Sequence, residues 1–363
     1  LTPPAEANGI VATITPQTYD AEIPALQYEL ADGQTETSLA NECGKFAVMP
    51  DEKNYAVDYE GKLREVVTYG DKNYPKYSIS ESGKLAQLFE VMNTNAEFNT
   101  QIYISIEDDL TLTNHVPFEV EVKINDTKWE TKGFKGVFDG NGHTITINNS
   151  FDNSYTWGNN MKNVNTLVCY RNEGIIQNVI VKGTCTNDID VGEHVDAGGL
   201  CYCNAGGIIK AAFNGPFDWE GMWGFAGGIC GENITSDPGV HANGVIKNCV
   251  NYGTVEIQTK YNTEDGTVGA GINGAGGAIC AINGQKSSKQ GATYPTIEYC
   301  YWLENCVKTG SDISTATNYM VYNDSRVRFG TATGCGYFAN AVNGALTAGS
   351  AEDCGSVQTL SGD

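Results

Sequence analysis

Short runs of alternating apolar and polar positions open the chain: Leu26, Tyr28 and Leu30, then Phe46 and Val48, then Tyr55, Val57 and Tyr59. Alternation with period two puts successive side chains on opposite faces of a strand, and Asp32-Gly33, Pro50-Asp51 and Glu60-Gly61 supply the turns between runs. Residues 1–72 are therefore expected to form a small antiparallel β domain, a sandwich or an immunoglobulin-like module. The period changes after the polar stretch Asp71-Lys72-Asn73-Tyr74-Pro75. Leu85, Leu88, Phe89 and Met92 fall on one face of a helix over 81–93, with Ser80 or Ser82 available as N-cap. Strand alternation returns at Ile102, Ile104, Ile106, Leu110 and Leu112, and again at Val120, Val122 and Ile124.

From Phe134 the pattern becomes repetitive. Phe134, Val137, Phe138, Ile145 and Ile147 anchor the turn Asp139-Gly140-Asn141-Gly142, whose composition supplies positive φ angles and side chains that imitate backbone turns. Four segments then share one frame: Leu167-Val-Cys-Tyr-Arg-Asn172, Leu200-Cys-Tyr-Cys-Asn204, Ile229-Cys-Gly-Glu-Asn233 and Ile279-Cys-Ala-Ile-Asn283. Each is followed by a second frame: Ile175 to Val179, Ile208 to Ala212, Val245 to Cys249 and Thr296 to Cys300. The Cys spacings of 32 (169 to 201), 29 (201 to 230) and 50 (230 to 280) keep the unit while its connections vary. A unit of two short strands cannot bury its apolar face alone and has to stack on its neighbours, as solenoid repeats do. The helix at 81–93 would cover the first coil, since an open end presents unpaired backbone groups. Residues 76–306 are expected to form the repeat domain, and 307–363 an irregular final coil or C-terminal cap.

Gly198-Gly-Leu-Cys-Tyr-Cys-Asn204, Gly227-Gly-Ile-Cys-Gly-Glu-Asn233 with Ile246-Lys-Asn-Cys249, and Gly276-Gly-Ala-Ile-Cys280 resemble the GLUG-type repeats of right-handed parallel β-helix proteins of bacterial surfaces. The resemblance covers about residues 77 to 306. It implies an all-β fold, a right-handed single-stranded parallel β-helix with an N-terminal capping helix, and an adhesin-like role. It also implies export, with a lipid anchor on an N-terminal Cys upstream of Leu1.

Composition narrows the partners. Against 22 basic residues stand 44 acidic ones, a formal net charge of −22. Nucleic acid and anionic membranes would meet like-charge repulsion. No apolar run reaches the roughly 18 to 20 residues that span a bilayer, and Leu1-Thr-Pro-Pro has neither the basic start nor the apolar stretch of a signal peptide. The chain reads as a mature or trimmed form and as a monomer.

Twelve cysteines raise zinc and disulfides. No Cys-x-x-Cys occurs, and Cys201-Tyr-Cys203 is the only close pair, so zinc is not expected. Cys169, Cys201, Cys230 and Cys280 are expected as an inward ladder of core thiols about 4.8 Å apart, with Cys249 and Cys300 in a second column. Cys335 and Cys354 are the pair best suited to a disulfide. Asn172, Asn204, Asn233 and Asn283, one per unit at the turn, are expected to bond from coil to coil and satisfy the corner.

Recognition is expected where the repeat exceeds its minimal length. The step from the turn Asn to the next Ile is short in two repeats (172 to 176, 204 to 209) and long in two (233 to 246, 283 to 297), which gives paired loops at 234–243 and 284–294. A third loop, 217–225, carries Phe217, Trp219, Trp223 and Phe225 with two carboxylates, a platform for sugar rings or a protein partner. Catalysis on this fold class is the alternative, as in polysaccharide lyases and glycosidases, and would need carboxylates grouped on one face. Asp188, Asp190, Glu193 and Asp196, and Glu264 with Asp265, are the acids available, and calcium at Asp188 and Asp190 lacks a twelve-residue loop pattern. No catalytic residue and no metal ligand is assigned, and extracellular glycan or protein is the expected partner.

Overall fold

The computed structural model describes residues 10–348 except 21, 27–42, 44, 96–97, 126–127, 152–162, 188–194, 211–212, 223–224, 236–242, 259, 263–267, 271–274, 286–294, 304–305, 310–327, 330 and 339–345. The chain is mostly sheet with one short helix, an all-β fold in which most strand pairs between successive repeats are parallel.

Four sheets carry the repeats. The first contains Tyr103–Ile106, Val137–Asp139, Ile175–Gln177, Ile208–Lys210, Val245–Lys247, Thr296–Glu298 and Thr331–Thr333 in that spatial order. The second runs from Leu110–Thr113 through Thr144–Phe151, Ile180–Asn187, Phe213–Met222, Val250–Asn251 and Tyr301–Leu303 to Gly336–Phe338. The third holds Cys169–Asn172, Cys201–Ala205, Cys230–Ile234 and Cys280–Gln285, and the fourth Asn163–Asn165, Val195–Gly198, Phe225–Gly227 and Ala275–Gly277. Along the chain, Val195–Gly198, Cys201–Ala205, Ile208–Lys210 and Phe213–Met222 visit the fourth, third, first and second sheets, and the next repeat visits them in the same order.

The register explains why the repeats tolerate unequal lengths. Ile104, Phe138, Ile176, Ile209, Ile246 and Ile297 pair in succession and are all fully buried, so six successive strands of the first sheet each add one large apolar side chain to a single column. Burying such a side chain contributes roughly 1.5–3 kcal/mol. Whatever lies between the strands does not disturb that column.

The helix Ser82–Thr94 buries Leu85, Leu88, Phe89 and Met92 against the same core. Its N-cap position is Glu81, with no side-chain cap bond. The serine expected there bonds elsewhere, since Ser82 Oγ accepts from the amide of Thr111 at 3.1 Å and ties the helix to Leu110–Thr113, the edge strand from which the second sheet starts. The alternation at Val120, Val122 and Ile124 produces no strand of the main sheets. Glu121–Asn125 forms a separate antiparallel hairpin with Lys128–Thr131, because 121–131 is long enough to fold back on itself.

The expected boundary near 72 falls at the start of the strand Lys72–Ile79. That strand pairs antiparallel with Leu63–Tyr69 and parallel with Tyr103–Ile106. The strands Ala12–Ile14, Phe46–Val48, Asn54–Val57 and Leu63–Tyr69 therefore continue the first sheet. Ala12–Ile14 and Phe46–Val48 are parallel, and the later pairs antiparallel. The expected strand at Leu26, Tyr28 and Leu30 runs into undescribed residues. Arg64 fastens this region: its Nε donates to Asp58 Oδ2 at 2.6 Å, and its guanidinium lies 4.6 Å from the centre of the Tyr77 ring.

Candidate functional site

The stretch expected as an aromatic loop, 217–225, is strand over 217–222 and at Phe225. Most of it belongs to Phe213–Met222, which pairs parallel with Ile180–Asn187 on one side and with Val250–Asn251 and Val255–Gln258 on the other. Phe217 stands opposite Gly183, and Trp219 opposite Cys185 and Val255. Phe217-Asp218-Trp219-Glu220 alternates as a strand should, and Gly215 and Pro216 are absorbed by a register shift between Val181 and Gly183. Proline has no amide to give a ladder and is tolerated at such irregularities. Phe225 begins the strand Phe225–Gly227, and Trp223 lies outside the described residues.

The paired insertions are described only at their bases. Thr235 and Asn243 form an antiparallel bridge, and Thr235 Oγ1 donates to Asn243 Oδ1 at 3.0 Å, which closes the foot of the first. Gly284 and Gln285, at the foot of the second, pair antiparallel with Phe329 and Arg328. Asp188, Asp190, Glu193, Glu264 and Asp265 lie outside the described residues, and Asp196 sits in a strand opposite Val164. Among the described residues no group of three or more His, Cys, Asp or Glu is arranged to hold a metal ion.

The turn asparagines form a continuous buried chain. Asn172, Asn204, Asn233 and Asn283 are in register, and each Nδ2 donates to the Oδ1 of the next at 2.8 Å. The same Nδ2 of Asn204 also donates to Gly207 O, while Gly174 N donates to Asn172 Oδ1, so the amides close the corner as well as the stack. A Cβ at Gly207 would collide with the amides of Asn172 and Asn204, which is why the residue leaving this turn has no side chain.

Cys169, Cys201, Cys230 and Cys280 pair one with the next and are fully buried. Burial pushes the Cys201 thiol up to about 11 and holds Cys169 and Cys230 well above the ordinary thiol range. A second column contains Cys249, Cys300 and Cys335, whose Sγ atoms donate to the carbonyls of Ile209, Ile246 and Ile297. Cys335 is thus a core thiol continuing the column, in place of the expected tail disulfide, because Thr333–Cys335 repeats the frame of Glu298–Cys300. Cys354 lies outside the described residues.

A polar cluster around Asp139 was not legible as a site in the sequence. Asp139, buried at the turn before Thr144–Phe151, accepts from Tyr103 Oη at 2.7 Å and Gln177 Nε2 at 2.6 Å on Oδ2. On Oδ1 it accepts from Asn141 N at 3.0 Å and Asn178 Nδ2 at 3.1 Å. Burial alone would raise its pKa, but the hydrogen bonds together outweigh it and hold the carboxyl below its usual range. Tyr69 Oη donates to Gln177 Oε1 at 2.8 Å and accepts from Lys210 Nζ at 2.7 Å, so the hairpin 69–72 is tied to the outer face of the first sheet. The only sequence signal is positional: Ser105, Asp139, Gln177, Lys210, Lys247 and Glu298 occupy one column through the paired strands.

That column sets what the face can do chemically. Its two carboxylates, Asp139 and Glu298, are four strand steps apart, about 19 Å at 4.8 Å per step. A glycosidase pair needs about 5 to 10 Å. With both oxygens of Asp139 committed to donors, the carboxylate is placed to hold a corner together.

Comparison of the chain with protein-family models, with curated proteins and with solved structures gives no match.

Proposed function

We propose that this chain is a non-enzymatic protein of the bacterial cell surface, adhesin-like, whose scaffold is a right-handed parallel β-helix of GLUG-like repeats. It displays the 217–225 segment and the paired insertions 234–243 and 284–294 to an extracellular glycan or protein. Export with a lipid anchor, and a monomeric state, belong to the same reading.

The observation that carries it is a contrast within each repeat. Asn and Cys stay in register from strand to strand with 2.8 Å bonds between the amides, while the connection after the turn Asn lengthens in the 233–246 and 283–297 repeats. Stacking fixes the ladder and does not need the added length. The reactive groups within the described strands support a structural rather than a chemical role: the ladder thiols are held in their neutral form by burial, and Asp139 is saturated with donors.

A screen of purified protein against arrayed glycans and extracellular proteins, with and without calcium, is the test. A ligand is expected whose binding falls about tenfold or more in the Trp219→Ala, Trp223→Ala variant, from the loss of two ring contacts. Full retention of binding by a folded variant would contradict the placement of the site.

A further inference from the structure

We propose that Tyr299 is a stacking platform for a pyranose ring, a second ligand site on the corner that follows the first sheet. The residue after four of the first sheet's strands adopts a left-handed backbone: Asn178 at φ 52°, Asn248 at 54°, Tyr299 at 52° and Gly334 at 66°. Asn and Gly suit that conformation, whereas a bulky aromatic residue is disfavoured in it. Backbone strain of this kind persists where the surroundings over-determine it, and it gathers at ligand sites.

The surroundings of Tyr299 do over-determine it. Its amide donates to Thr333 O at 2.9 Å, and the next residue, Cys300, is buried in the second thiol column. The Cδ1–Cε1 edge of its ring lies beside Gly334: a Cβ there would fall 2.5 Å from Tyr299 Cδ1 and 2.6 Å from Cε1. The ring thus takes the space that a side chain at 334 would fill. The residue is nevertheless 54% exposed, the aromatic one of the four most exposed large apolar side chains described.

Beside the ring stand groups suited to hydroxyls. Asn248 occupies the same corner one strand earlier, where its amide N donates to Glu298 O at 3.0 Å, so its exposed side chain lies about 4.8 Å along the stack. Lys247 and Glu298, paired in register, flank it. A pyranose presents a C–H face to an aromatic ring and hydroxyls at its rim to amide, ammonium and carboxylate groups. A protein partner would need a contiguous apolar patch, and a single ring amid polar neighbours does not make one.

The site is separate from 217–225, so the two can fail independently. The test is saturation-transfer NMR with short linear oligosaccharides of glucose, mannose and N-acetylglucosamine at millimolar concentration. The wild type and the Tyr299→Phe variant are expected to bind at least one of them, with affinity about tenfold or more lower in Tyr299→Asn. Because Asn suits the left-handed corner, Tyr299→Asn should unfold at the same temperature or higher. No binding by the wild type, equal binding by Tyr299→Asn, or a loss accompanied by a lower unfolding temperature would overturn the proposal. Loss in the Trp219→Ala, Trp223→Ala variant alone would overturn it while leaving the 217–225 site standing.

Discussion

The ladder asparagines show how a residue becomes indispensable without touching a ligand. Asn204 donates to Asn233 and Gly207 and accepts from Asn172, all in the buried interior of a turn. Asn204→Ala leaves donors and acceptors of both neighbours unmet, and should cost about 2–4 kcal/mol in urea unfolding. A loss below about 1 kcal/mol would mean that water replaces the amide. His115 gives the chain a pH dependence. It is buried against Phe89, its Nε2 donates to Leu167 O at 2.6 Å, and burial lowers its pKa from 6.5 to about 4. The unfolded chain therefore binds the proton first, and stability falls as pH drops from about 6.5 to about 4, by roughly 3 kcal/mol in all. In a His115→Gln variant this part of the acid sensitivity should disappear from guanidinium melts taken across that window. Residue chemistry is partly readable in the sequence, where the repeated Asn and Cys announce themselves by spacing. The Asp139 cluster does not, because its donors Tyr103 on one side and Gln177 with Asn178 on the other come from the two flanking strands and meet Asp139 only through pairing.

At the scale of elements, period decides what can be read. The helix is visible because Leu85, Leu88, Phe89 and Met92 repeat at helical spacing, and all four are buried. Leu88→Asp and Phe89→Asp should each lower stability by several kcal/mol, since each puts a charge into an apolar contact. Unchanged thermal stability and a monodisperse elution profile would show that the helix is not the cover of this end. The strand Phe213–Met222 is hidden because Gly215, Pro216 and three aromatic residues resemble a decorated loop, and a register shift cannot be seen without the partner strand. Glu121–Asn125 misleads for the opposite reason, since alternation shows a strand and not its partner. The thiol columns extend over several elements and can be probed together. Cys169, Cys201, Cys230, Cys280, Cys249 and Cys300 should react with a thiol reagent only after denaturation, with sites mapped by mass spectrometry. Rapid native labelling of the first four would contradict their register.

For the whole molecule, the repeat announces the fold class, while the way the ends join it depends on distant pairing. Nothing in the alternation of residues 46–69 says that their sheet will continue into the repeats, because that junction is made by Lys72–Ile79 serving two partners. The central claim is that successive repeats stack in parallel register, with everything else hung on that ladder. Methyl-labelled isoleucine NOE spectra test it most directly. Ile176, Ile209, Ile246 and Ile297 are paired one to the next and fully buried. Their methyl groups should give cross-peaks 176–209, 209–246 and 246–297, with none that skips a strand. Missing neighbour contacts, or a strong 176–246 cross-peak, would contradict the stacking.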